Sequence, residues 1–160
     1  MSWSKEKALD EYEDNLFYLK QLQNKSTTSL KDEVVKKHQE AFQEIDCLSC
    51  ANCCKSSPPI VTKKDAKRMG KALGIPPKTV IKKYLIHDVD GSMMMNGVPC
   101  VFLQEDNRCS IYNDRPEACR AYPHTDDPNY LNKPRFNVEN TIVCPAAYAI
   151  VKKLQASFKI

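Results

Sequence analysis

The sequence predicts a predominantly helical α+β protein, a small cysteine-rich domain with an N-terminal helical hairpin and short β-hairpins. Three observations predict it. Apolar residues recur at helical spacing over the first 45 residues and again at the C-terminal end, the middle breaks into short runs separated by Asp-Gly and Asn-Gly, and all eight cysteines fall between Cys47 and Cys144. One domain over residues 1–160 is expected, with a helical part at 1–45, a cysteine-rich core at 46–146 and a C-terminal helix at 147–160.

From Ala8 to Leu22, the residues Leu9, Tyr12, Leu16 and Leu19 lie on one face of an amphipathic helix. The stretch NKSTTS interrupts it. Ser29, three residues before Asp32, reads as a helix cap, and Leu30, Val34, His38, Phe42 and Ile45 then carry a second helix to Cys47. The prolines of SSPPIVT favour extended chain. Thr62 with Asp65 repeats the capping pattern, Ala66, Met69 and Leu73 give a short apolar stripe, and Gly74 is placed to end that helix. Pro76 or Pro77 opens another through Val80, Ile81, Tyr84 and Leu85.

Between His87 and Tyr112, short runs and turn dipeptides predict hairpins. A turn near Gln104 and Glu105 would set Cys100 opposite Cys109. Asp114, Pro116 and Glu117 read as the start of a short helix bearing Cys119, and the polar segment 123–140 as loop. The last helix follows Cys144-Pro145, with Ala147, Val151, Leu154 and Phe158 on one face.

Net charge is +4, with lysines spread along the chain, so a nucleic-acid partner is not expected. No apolar run is long enough for a signal-peptide core or a membrane span, which predicts a cytoplasmic protein without a membrane partner. Hydrophobic content of 42% and charged content of 28% are ordinary. A Gly-rich phosphate loop, HExxH and a Ser-His-Asp signature are all lacking, and the four glycines leave little for close ligand approach.

The cysteines are the departure. CLSCANCC, Cys47 to Cys54, puts four thiols into eight residues. In a reducing compartment such density points to metal rather than cystine. Thiolates two intervening residues apart can turn toward one centre, and the overlapping steps Cys47, Cys50 and Cys53, with a later Cys144-Pro145, echo the bacterial ferredoxin run. Those four are the first-choice ligands. Cys54 is harder to place, because neighbouring side chains on extended backbone point apart. It is a candidate for a second four-sulfur site with Cys100, Cys109 and Cys119, or these join the first. Lys55, Arg108, Arg115 and Arg120 flank the thiols and are candidates to offset thiolate charge. His87 and His124 are weaker nitrogen candidates, and His38 reads as part of a helix face.

These residues resemble a known family. CLSCANCC matches the CxxCxxCC signature of the YkgJ-type cysteine cluster proteins, PCVFLQEDNRCSIYNDRPEACRAYP (99–123) is similar to their second block, and the Cys144-Pro145 step to their last. The resemblance implies chelation of zinc or iron by these cysteines. The same motif accompanies methyl transfer in flagellin lysine methylases, an activity for which this chain lacks the other signatures. The leading expectation is an iron-sulfur cluster serving redox, electron transfer or modification of a protein or small-molecule partner. The alternative is a structural zinc module of four thiolates without catalysis; an enzyme with an open metal position is the third.

Overall fold

A computed structural model describes residues 2–160. They group into two compact units, one of residues 2–47 with 123–160, the other of residues 48–122. Predominantly helical α+β architecture is observed, with a two-stranded antiparallel sheet as its regular β element. Among the described residues no helix is long and apolar enough to cross a membrane.

The first unit is helical. Helices α1 (Lys5–Asp10) and α2 (Tyr12–Asn24) replace the single helix expected over 8–22. The break falls at Glu11, whose carboxylate accepts from Tyr148 Oη at 2.8 Å and pairs with Lys152 Nζ at 2.6 Å. Helix α3 (Thr28–Glu44) starts two residues ahead of the expected cap: Thr27 has extended backbone, and its Oγ1 accepts the Leu30 N–H at 3.2 Å. The first hydroxyl on non-helical backbone does the capping.

Part of the segment expected as loop over 123–140 is helix instead. Helix α9 (Pro134–Val143) has no apolar stripe because its buried positions include Asn137, Asn140 and Thr141. Asn137 donates to the Tyr130 carbonyl at 2.6 Å and Asn140 to the Pro123 carbonyl at 3.0 Å, while Thr141 returns to Val138. Each buried polar group thus has a partner, which is what lets a polar helix sit inside. Helix α10 (Pro145–Ser157) is the expected last helix.

The N-terminal helices bury their stripes mainly through the C-terminal ones, α2 against α9 and α3 against α10. Leu19, Leu22, Val34, Val138, Ile150, Val151 and Leu154 form the center of this core. Burying each such side chain contributes about 1.5–3 kcal/mol.

The second unit is built on a helix pair and a hairpin. After the short turns α4 (Cys47–Cys50, whose first residue belongs to the helical unit) and α5 (Asn52–Ser56), the chain runs extended past Pro59. Helix α6 (Lys63–Leu73) has the expected capping box, with Thr62 Oγ1 accepting the Asp65 N–H and Asp65 accepting the Thr62 N–H. Gly74 ends it at φ 67°, and Ile75 N–H donates back to the Gly70 carbonyl at 3.0 Å. Helix α7 (Pro77–Tyr84) opens on Pro77.

Strands β1 (Leu85–His87) and β2 (Met93–Met95) pair with Leu85 opposite Met95, joined through Asp90-Gly91 with Gly91 at φ 80°. Val61 N–H to Met93 O at 2.8 Å and Met95 N–H to Pro59 O at 3.0 Å add the Pro59–Val61 segment to the other side of β2. The core is Val61, Ala66, Met69, Val80, Leu85, Met95, Phe102 and Ile111. Helix α8 (Glu117–Ala121) carries Cys119.

Gly70 permits the α6–α7 contact. A Cβ there would stand 2.7 Å from the Ile75 carbonyl oxygen, in a backbone segment that cannot step aside. Helix propensity alone would favour alanine, by about 1 kcal/mol. The clash reverses the sign: Gly70→Ala is expected to destabilise the second unit by about 1–3 kcal/mol, the usual cost of overpacking. Urea unfolding of the variant checks this, and a higher midpoint would refute the close approach.

Candidate metal centre

The second unit gathers four thiols from four segments. Cys54 lies in α5, Cys100 and Cys109 border the turn after the hairpin, and Cys119 lies in α8. Backbone bonds place them: Cys100 N–H donates to Cys54 O at 2.8 Å, Leu103 N–H to Cys100 O at 2.9 Å, and Cys119 N–H to Pro116 O at 3.0 Å. The turn spans Gln104–Asn107, closed by Asn107 N–H to Gln104 O at 3.0 Å. The bridged pair is centred on Asp106, so Cys109 faces Leu103 and not Cys100, which a turn centred near Gln104 and Glu105 would have set opposite it. Cys100 and Cys109 pack on the unit's apolar core.

All four thiols are partly buried, and the charge of Cys54 reaches the other three. Burial, then the charges of Cys54, Cys100 and Cys109, push the Cys119 thiol up to about 12, against a smaller pull from Arg115. Cys100 is raised by burial, with further push from Cys54 and Cys109, and Cys109 by burial and Cys54. Cys54 is raised well above the ordinary thiol range by its hydrogen bond with Cys53, then by burial, with Lys55 opposing. The segment 52–56 is helical, so the premise of extended backbone at Cys53 and Cys54 does not apply. A helix sets consecutive side chains about 100° apart rather than opposite.

The other expected ligands are placed as follows. Cys47 and Cys144 belong to the helical unit, Cys50 and Cys53 to the second. Cys144 is buried at the start of α10, its Sγ accepting the Ala147 N–H at 3.5 Å; Cys47 is exposed. Ala51, between α4 and α5, takes a left-handed conformation at φ 51°, uncommon for a residue with a Cβ, and so turns the chain between Cys50 and Cys53. No described cysteine is bridged as cystine. Among the described residues, no three His, Cys, Asp or Glu side chains stand ready around a single ion.

Of the flanking cations, Lys55 acts on Cys54, and Arg115 on Cys109 and Cys119. Arg115 lies 3.8 Å over the Tyr112 ring and donates to the Tyr112 carbonyl. Arg120 donates to the Asn113 carbonyl, and Arg108 stands 3.8 Å from Asp106. The histidines have other surroundings: His38 bonds Thr125 at 2.8 Å, His124 stacks beside Phe136, and His87 pairs in β1.

Sequence reasoning missed Asp65 as more than a helix cap. Its Oδ1 accepts Arg68 Nη2 at 2.7 Å and the Glu117 N–H at 3.1 Å, and Arg68 Nη2 also donates to the Arg115 carbonyl at 2.7 Å. Burial would raise this carboxyl, but bonds from Thr62 and Glu117 with the Arg68 charge hold it below the ordinary range. The Thr62-Asp65 spacing announced the cap; nothing local announces Glu117.

The signature of the CxxCxxCC family, described as "Putative zinc- or iron-chelating domain", matches residues 46–145. The match covers more than half of the chain, and the chain belongs to this family of cysteine-rich metal-chelating domains. An uncharacterized protein of Methanocaldococcus jannaschii is 35% identical over 82 residues, 49% of this chain and 44% of that relative, so the chain spans under half the relative's length. No solved structure matches significantly.

The four thiols set a pH dependence for metal-free protein. A thiol titrating near 8.5 when unfolded and higher when folded holds more protons in the native state. Its contribution to stability is full below the unfolded value and fades as pH rises toward the folded one, about 12 for Cys119. The urea midpoint of chelated, reduced protein is expected to fall as pH climbs above about 8.5, and less steeply in Cys119→Ser. A midpoint rising with alkali would contradict the burial of these thiols.

Proposed function

We propose that the second unit holds a cysteine-ligated metal centre on Cys54, Cys100, Cys109 and Cys119, and that an iron-sulfur cluster used in redox or electron transfer is its occupant. The observation that carries this is the meeting of four thiols from four segments in one partly buried region, with Cys100, Cys109 and Cys119 all within range of the Cys54 charge. The donor set is all sulfur, which fits zinc and iron-sulfur ligation and disfavours hard cations that demand oxygen.

A tetrahedral zinc would need its sulfurs about 3.8 Å apart, given a Zn–S bond near 2.3 Å. Four thiolates from separate segments would equally hold an iron-sulfur cluster, whose irons are bound by cysteine sulfur. When bound, such a cluster supplies one-electron chemistry. The protein's own part is to hold the four sulfurs, with Lys55 and Arg115 offsetting thiolate charge and the core on the Phe102 and Ile111 side limiting water. Zinc is the second reading, favoured by the small core on which Cys100 and Cys109 pack, since a structural ion would staple it.

Elemental analysis and acid-labile sulfide on anaerobically purified protein separate the readings. Iron with matching sulfide and a brown colour is the expected outcome, reduced by at least about half in Cys119→Ser, as expected when a centre loses one of its ligands. Colourless protein with stoichiometric zinc would return the structural reading, and metal-free protein that gains none on reconstitution would refute both.

A further inference from the structure

We propose that Asp65 is a positioning residue of the cysteine site, fixing Cys119 by holding both ends of the Arg115-Pro116-Glu117 segment that leads into α8. The proposal rests on the metal reading above and names what orients one of its ligands.

Asp65 is 2% exposed, and its two oxygens take four donors. Capping α6 needs only Oδ2, which receives the Thr62 N–H and hydroxyl at 2.9 and 2.7 Å. Oδ1 is surplus to that cap. It takes the Glu117 N–H, while the Arg68 guanidinium it pairs with reaches the Arg115 carbonyl. One ion pair, buried on its Asp65 side, therefore closes on the chain before and after Pro116.

Helix α8 needs an outside hold. Pro116 stands at its cap position and supplies no side-chain bond, so an orphan N–H at Glu117 would otherwise go without a protein partner. A helix of five residues does not persist by itself. Cys119 donates its N–H to the Pro116 carbonyl, within the same turn that Asp65 grips. Movement of that turn carries the Cys119 sulfur with it.

Two readouts test this on the full chain. In metal-free, reduced protein under native conditions, peptide-mapped iodoacetamide labelling is expected to speed up at Cys119 relative to Cys100 by about tenfold in Asp65→Ala, the scale of losing a hydrogen bond to a charged group. Met69→Ala, a core truncation on the same helix, should leave that ratio unchanged. With Co(II) as probe, the Asp65→Ala spectrum should match that of Cys119→Ser, with weaker thiolate charge transfer than wild type, whereas Met69→Ala should keep the wild-type bands.

Should Asp65→Ala fail to fold, Asp65→Asn carries the comparison, since it keeps an acceptor for Glu117 and loses the ion pair; an intermediate labelling ratio is then expected. Wild-type cobalt uptake combined with unchanged spectrum and ratio in the Asp65 variants overturns the positioning role alone. Absence of thiolate-to-cobalt bands in wild type, together with no iron and sulfide taken up on anaerobic reconstitution, overturns the metal reading and, with it, Asp65's part in such a site.

Discussion

Like charges cannot share a poorly solvated space, and the second unit is organised by that constraint. Burial and the charge of Cys54 raise the thiols of Cys100, Cys109 and Cys119, while Cys54 is itself raised by its hydrogen bond with Cys53 and by burial. Two nearby side-chain cations, Lys55 and Arg115, offset part of the effect. Bringing all four to the thiolate state would ask for a centre of higher positive charge that bonds directly to sulfur, which is the chemistry proposed for them.

The two units solve the problem of internal polarity in opposite ways. In the helical unit, buried polar side chains of α9 are neutral amides and a hydroxyl, each spent on a backbone carbonyl, and the core around them is aliphatic. Polar burial in α9 is satisfied and inert. In the second unit the charge of Asp65 is fully engaged, whereas the thiols of Cys100 and Cys109 stay raised by burial even though backbone N–H groups of Phe102, Leu103 and Ile111 bond them. Strongly perturbed groups of that kind mark functional ground more often than scaffold.

Much of the scaffold was legible because its signals are local. Thr62 with Asp65, Gly74, Pro77 and the stripe from Ala147 to Leu154 each announce an element within a few residues. Helix α9 was not, since periodicity arguments register apolar residues and its buried face is built from Asn137, Asn140 and Thr141. The cap at Thr27 was missed because a run of hydroxyls offers several equivalent choices and only backbone conformation selects among them. At the site, sulfur density spoke plainly, while the pairing of Cys109 with Leu103 depended on the turn being centred on Asp106 and not between Gln104 and Glu105. The second oxygen of Asp65 was invisible, because its partner at Glu117 is distant in sequence.

Why a unit of this size should depend on sulfur follows from its core. Eight buried apolar side chains hold it, and two of the thiols already pack against them. Joining Cys54 to Cys100 closes a long loop, and ties to Cys109 and Cys119 fix the turn and α8 against it. Crosslinks across long loops remove the most freedom from the unfolded chain, and a metal bound to four separated thiolates acts as several such crosslinks at once. Binding free energy released at the sulfurs is then folding free energy for the segments that carry them, for iron and zinc alike. The proposed centre would therefore also be a condition of the fold around it.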